Sequence, residues 1–109
     1  MLKSNEKVRD FIPGTYSGAW SSSYSQTRDT LLIEPLTEDG SITYSITRRT
    51  FIDYSTATRK KDPEYKIVKW TGSYNPGAKT VVIENSGRIL SFDPDKQEMK
   101  MGIVVYKKL

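Results

Sequence analysis

Five basic side chains, Arg48, Arg49, Arg59, Lys60 and Lys61, are the residues of this chain best suited to chemistry, and the chemistry is the holding of anions. They belong to a wider basic segment. Residues 48 to 69 carry seven basic groups (Lys66 and Lys69 complete the set) against three acidic ones, Asp53, Asp62 and Glu64. The rest of the 109-residue chain has ten of each sign, so the whole net charge of +4 sits in that segment. A local excess of this kind attracts phosphate, nucleic acid, an anionic surface or an acidic protein. A basic loop also serves solubility alone, and that reading stands beside the first.

Catalytic chemistry has little to work with. The chain has no histidine and no cysteine. A Ser-His-Asp triad, a histidine-ligated zinc, a thiolate nucleophile and disulfides are excluded. Carboxylates and hydroxyls remain. Asp29 beside Arg28 reads as a strand-end ion pair, while Asp39-Gly40 and Asp93-Pro94-Asp95 read as turns. No stretch offers the oxygen density that calcium needs. A glycosidase-like carboxylate pair would be remote in sequence, but no insertion is long enough to frame a cleft. The expectation is a protein that is not an enzyme and takes no metal or cofactor.

Aromatic residues interleave with the basic ones: Tyr44, Phe51, Tyr54, Tyr65, Trp70 and Tyr74. Stacking plus phosphate contact on a barrel face is how oligonucleotide-binding folds hold single strands. The competing reading is that alternate aromatics are core, since half of any strand faces inward. No helix of the kind expected between the third and fourth strands of that fold is evident, which makes nucleic acid an unfavoured partner.

The elements that position these residues are strands. Ile42, Tyr44 and Ile46 alternate with Thr43, Ser45 and Thr47, a period of two that ends in the arginine pair. Phe51, Ile52 and Tyr54 are expected to extend that strand past a bulge or bend. Other strands are expected over Thr15–Trp20, Thr27–Glu34, Lys66–Tyr74, Lys79–Glu84, Arg88–Phe92 and Met99–Tyr106, the last with Met99, Met101, Ile103 and Val105 aligned. Turns fall at Glu38-Asp39-Gly40, Asn75-Pro76-Gly77, Asn85-Ser86-Gly87 and Asp93-Pro94-Asp95. Ser55 to Tyr65 reads as an exposed loop that Pro63 keeps irregular. Residues 1–13 read as an N-terminal arm or tether. It holds at most one helical turn, with Val8, Phe11 and Ile12 inward. Residues 14–109 then form a single all-β domain. A meander of about seven or eight antiparallel strands at this length closes into a small up-and-down barrel. No apolar run approaches the roughly 20 residues of a membrane helix, and Met1-Leu2-Lys3 leads into polar sequence rather than an apolar signal.

Two resemblances follow. Gly18-Ala19-Trp20 resembles the Gly-X-Trp of lipocalin-like barrels, where the tryptophan closes the base beneath an arginine of the last strand; here the last strand offers Lys107 and Lys108. More of the chain is covered by Phe11-Ile12-Pro13-Gly14-Thr15-Tyr16, Asp29-Thr30-Leu31-Leu32-Ile33, Tyr44-Ser45-Ile46-Thr47-Arg48-Arg49-Thr50, then Trp70, Tyr74 and Ser91-Phe92-Asp93-Pro94. In order and spacing these are similar to a family of small, uncharacterised secreted lipoproteins of Gram-negative bacteria, often linked with mobile or conjugative elements. That resemblance implies an envelope-facing β domain, in the periplasm or on the envelope if a lipoprotein leader was removed; without one, the chain as written reads as cytoplasmic. It implies no substrate, cofactor or catalytic residue.

The expected function is therefore a non-enzymatic, envelope-associated binding or scaffolding domain. Its contact surface would be Arg48, Arg49, Arg59, Lys60 and Lys61, and its partner an acidic protein or anionic surface. The alternatives are a lipocalin-like barrel holding a small apolar ligand, which requires a hollow interior, and a barrel that binds single-stranded nucleic acid.

Overall fold

The structure, a computed structural model, describes residues 2–36, 42–54 and 61–109, with side chains from Lys7 onward. One helix, α1 (Leu2–Phe11), precedes eight strands: β1 (Gly14–Ser21), β2 (Gln26–Pro35), β3 (Thr43–Asp53), β4 (Glu64–Asn75), β5 (Thr80–Ile83), β6 (Ile89–Asp93), β7 (Glu98–Met101) and β8 (Val104–Lys108). Each strand pairs antiparallel with the next, and β8 returns to β1, so the meander closes into an eight-stranded barrel. The closing seam is short, pairing Tyr16 with Lys108 and Ser17 with Lys107.

Alternation decides what fills the barrel. Tyr16, Leu31, Ile33, Tyr44, Ile46, Tyr74, Val81, Ile83, Leu90, Met99, Met101 and Tyr106 all face inward and are buried. Side chains therefore occupy the centre of the barrel, each burial contributing about 1.5–3 kcal/mol. The eighth strand comes from a division of the expected last one. Gly102, at φ +62°, turns the chain between Met101 and Val104. Ile103 is left on the turn, 99% exposed, and Val105 faces out. The run Met99, Met101, Ile103, Val105 is thus not one face. The inward residues after the turn are Val104 and Tyr106, because the turn resets the parity.

Residues 2–12 are not a loose arm. The helix closes one end of the barrel with Val8, Phe11 and Ile12, all buried. Phe11 meets Tyr16 and Phe92 edge-on, at centroid distances of 5.7 and 6.3 Å. The Tyr16 hydroxyl shares its proton between the carbonyls of Phe11 (2.7 Å) and Ile12 (2.9 Å), which the end of the helix leaves unsatisfied. The ammonium of Lys108 donates to the same Phe11 carbonyl and lies 4.4 Å from the Phe11 ring centroid. An ion pair between Lys7 and Asp95 ties α1 to the β6–β7 turn. The cation of the last strand thus sits over Phe11 at the closed end. Trp20, at the far end of β1, is 38% exposed and lies at the open end, contrary to the lipocalin-like expectation.

The two halves of the barrel differ in length. β1 to β4 have 8, 10, 11 and 12 residues; β5 to β8 have 4, 5, 4 and 5. β3 pairs with β4 in unbroken register from Thr43↔Ser73 to Ile52↔Glu64. The bulge expected near Phe51 is therefore not needed: Phe51 faces out and Ile52 in, as simple alternation requires. β4 pairs with β5 only over Gly72 to Asn75, with one further bond from Glu84 N to the Thr71 carbonyl. Residues 64–70 therefore have no described strand on that side. At about 3.3 Å per residue, β4 runs about 40 Å, in keeping with principal extents of 53 × 25 × 23 Å. The Glu38-Asp39-Gly40 turn and most of the Ser55–Tyr65 loop lie outside the described residues, while Glu64 and Tyr65 begin β4. No described helix is long and apolar enough to cross a membrane.

Candidate functional site

Arg48 and Arg49 are neighbours in sequence and strangers in space. Tyr44 and Ile46 set the inward parity of β3, so Arg48 follows them inside and Arg49 faces out. The same rule acts on β2. Leu31 and Ile33 are buried, which draws Asp29 inward and leaves Arg28 outside. Asp29 accordingly does not pair with Arg28. Its partner is Arg48.

The inner cluster is saturated. Arg48 Nε donates to Asp29 Oδ2 at 2.8 Å and Oδ1 at 3.1 Å. Thr50 Oγ1 donates to Oδ1 at 2.7 Å, and the Tyr106 hydroxyl to Oδ2 at 2.6 Å. Asp29 is fully buried and the Arg48 side chain is 18% exposed. Burial, then the hydrogen bond and charge of Asp29, push the Tyr106 phenol above its ordinary range and keep it a donor. The Asp29 lone pairs are all engaged, and its role in this arrangement is to hold Arg48. Arg48 in turn lies 5.6 Å from the centroid of Trp70, and Arg88 of the β5–β6 turn lies 5.2 Å from the same ring.

The outer face is different in kind. The register places Ala19, Arg28, Phe51 and Tyr65 in one row across β1 to β4, and Ser17, Thr30, Arg49 and Ile67 in the next. Lys69, opposite Thr47, begins a third. Arg28, Thr30, Arg49, Phe51 and Tyr65 line a groove of about 470 Å³. Phe51 and Tyr65 pack edge-to-face at 6.3 Å. Neither arginine has an acidic partner among the described residues. The groove adjoins the unpaired stretch of β4, where Tyr65, Ile67 and Val68 are exposed.

The five residues expected to form the contact surface are therefore dispersed. Arg49 is on the outer face and Arg48 is inside. Lys61 is occupied beyond the end of β3: it bonds Glu64 at 3.2 Å and lies 4.3 Å from the Tyr54 ring centroid. The Tyr54 hydroxyl also bonds Glu64, at 2.9 Å; that bond first, and Lys61 second, hold the Glu64 carboxyl below its usual range. Arg59 and Lys60 lie outside the described residues. The interleaved aromatics divide likewise. Tyr44 and Tyr74 are core, Phe51 and Tyr65 are outer, and Trp70 is half-buried inside. Arg28 and Arg88 belong to the picture although neither is among the five residues expected to form the contact surface. Arg28 was legible from the parity of Leu31 and Ile33; Arg88 had no such signal, because its place depends on how the short hairpins stack.

No protein-family model, curated protein or solved structure matches the chain. Function must be argued from these surfaces.

Proposed function

We propose that this is a non-enzymatic binding domain that takes an acidic, extended protein segment on the outer face of β2 to β4. The observation that carries the reading is the exposure of Arg28 and Arg49 side by side on one groove, with no acidic partner among the described residues. Three features support an extended chain as the partner. The unpaired edge of β4 offers backbone donors and acceptors to an added strand. Lys69 and Arg49 supply positive charge beside it. Ile67, Tyr65 and Phe51 supply apolar contact at strand spacing. The resemblance to envelope lipoproteins supports an envelope setting for the partner.

A labelled peptide of alternating glutamate and valine tests the reading. The expected result is saturable binding, with amide shift changes on β2 to β4, lost in an Arg28→Glu/Arg49→Glu variant that keeps the wild-type circular dichroism. Equal binding by that variant, or shift changes confined elsewhere, would overturn it. A single-stranded oligonucleotide titrated at two salt concentrations is the competing arm. Tighter, salt-dependent binding of that probe would favour nucleic acid instead.

A further inference from the structure

We infer that the open end of the barrel is a binding pocket for a small amphipathic anion, one carboxylate on a compact apolar body. This site is separate from the outer groove and rests on different residues. It lies at the step where β5 to β8 stop and β1 to β4 continue. The β5–β6 turn (Gly87, Arg88) and the β7–β8 turn (Gly102, Ile103) form one rim, and Trp20 and Arg48 the other, around a cavity of about 530 Å³. That volume falls in the range of small-molecule sites, about 300–1,000 Å³.

The wall is mostly apolar, supplied by Trp20, Ile89, Met101 and Val104, with Tyr106 at its inner side. The polar groups are two guanidiniums. Arg48 and Arg88 both line the cavity, and both lie against the Trp70 ring. Asp29 is the one carboxylate bonded to either of them among the described residues. Two cations and one anion leave an excess of one positive charge. Furthermore, Asp29 takes only the Nε of Arg48, so no described residue accepts from the two amino groups at the tip. The Nε bond fixes the guanidinium from behind, and Arg48 lines the cavity. A planar, pre-oriented guanidinium of this kind suits a carboxylate. The single excess charge matches a monoanion, and the apolar wall matches the rest of such a ligand.

Of the two tryptophans of the chain, Trp20 lines this pocket and Trp70 lies against both of its arginines. Their fluorescence is a direct readout. The protein is titrated with decanoate below its micelle-forming concentration, and in parallel with decanol and decylammonium. Saturable change with decanoate, at least tenfold weaker with decanol and absent with decylammonium, is the expected result. Arg88→Gln, in an exposed turn, should keep the fold and weaken decanoate at least tenfold. Arg28→Glu/Arg49→Glu should bind decanoate as the wild type does, so failure here and failure of the outer-face reading are distinguishable. Equal affinity for decanol and decanoate, no effect of Arg88→Gln, or no saturable signal would each overturn the inference.

Discussion

The hydroxyl of Tyr106 on β8 donates to the carboxylate of Asp29 on β2 at 2.6 Å, reaching across β1 to do so. Gly18 is what lies between. It pairs with Asp29 in register, and a Cβ at position 18 would stand 2.8 Å from Cδ2 of the Tyr106 ring. Gly18→Ala must move that ring and is expected to destabilise the fold by about 1–3 kcal/mol, as overpacking usually does. Tyr106→Phe leaves one Asp29 lone pair without its donor and is expected to cost about 1–3 kcal/mol. Because both changes act on one bond, the double variant should cost less than the two together. Urea unfolding at neutral pH measures all three; strict additivity would place the effect of Gly18 elsewhere.

The pair Asp29–Arg48 should behave as a buried ion pair does. Asp29→Asn keeps the shape and removes the charge that Arg48 sits against, an expected loss of about 3–5 kcal/mol. Arg48→Met added to it removes the stranded cation as well. The double variant is expected to regain at least half of the loss, read from the shift in urea midpoint. If it is no more stable than Asp29→Asn alone, the cost lies in Thr50 and Tyr106 and not in the charge.

Alkaline pH should destabilise the protein in a defined window. Tyr16 and Tyr106 are both raised above the ordinary tyrosine value, chiefly by burial. Above about pH 10 the unfolded chain has released protons that the folded one retains, so the folded state binds more protons and stability falls as pH rises. Below about pH 10 both forms are protonated and the contribution is complete. Each such tyrosine adds a slope of about 1.4 kcal/mol per pH unit in the window. Urea midpoints from about pH 9 to about 11.5 should show the decline, shallower in Tyr106→Phe. A flat profile would mean that these phenols ionise without unfolding.

Hydrogen exchange should divide β4 in two. Gly72 and Ser73 lie between β3 and β5, and Tyr74 N bonds the Ile42 carbonyl, so amides of residues 72–74 are expected to be well protected. Over residues 64–70 the β3 side alone is paired, so fast and slow amides should alternate. Protection along the whole stretch, measured by amide exchange in solution, would show that the edge is covered in the free protein.

The barrel was legible because its signal is repeated. Seven alternating stretches with turn residues between them leave few topologies, and the inward parity of Tyr44, Ile46, Leu31 and Ile33 can be read directly. The same parity already placed Asp29 and Arg48 inside. A sum of charge along the chain joins Arg48 to Arg49, although the pleat separates them. The division at Gly102 was hidden because Met101 and Ile103 continue an apolar alternation through the turn. The role of Gly18 was hidden because it depends on Tyr106, a residue brought near only by closure of the sheet. The mouth pocket depends on unequal strand lengths, which no single segment reveals.

Closure also bears on the order of folding. Among the described strands, seven of the eight pairings join chain neighbours, and only the seam of β1 with β8 is remote in sequence. Remote pairing carries the larger loop-closure entropy and is the slow kind of step. The bond from Tyr106 to Asp29 spans 77 residues beside that seam. It can form only when the ring of strands has shut, and until then the Asp29 lone pair that Tyr106 will fill keeps its water. Tyr106→Phe should therefore speed unfolding and leave the folding rate nearly unchanged, a φ-value close to zero. That one bond acts as a latch: the Arg48 and Thr50 bonds to Asp29 belong to the β2–β3 hairpin, whereas the Tyr106 bond contributes nothing until closure and slows the reopening of the finished barrel.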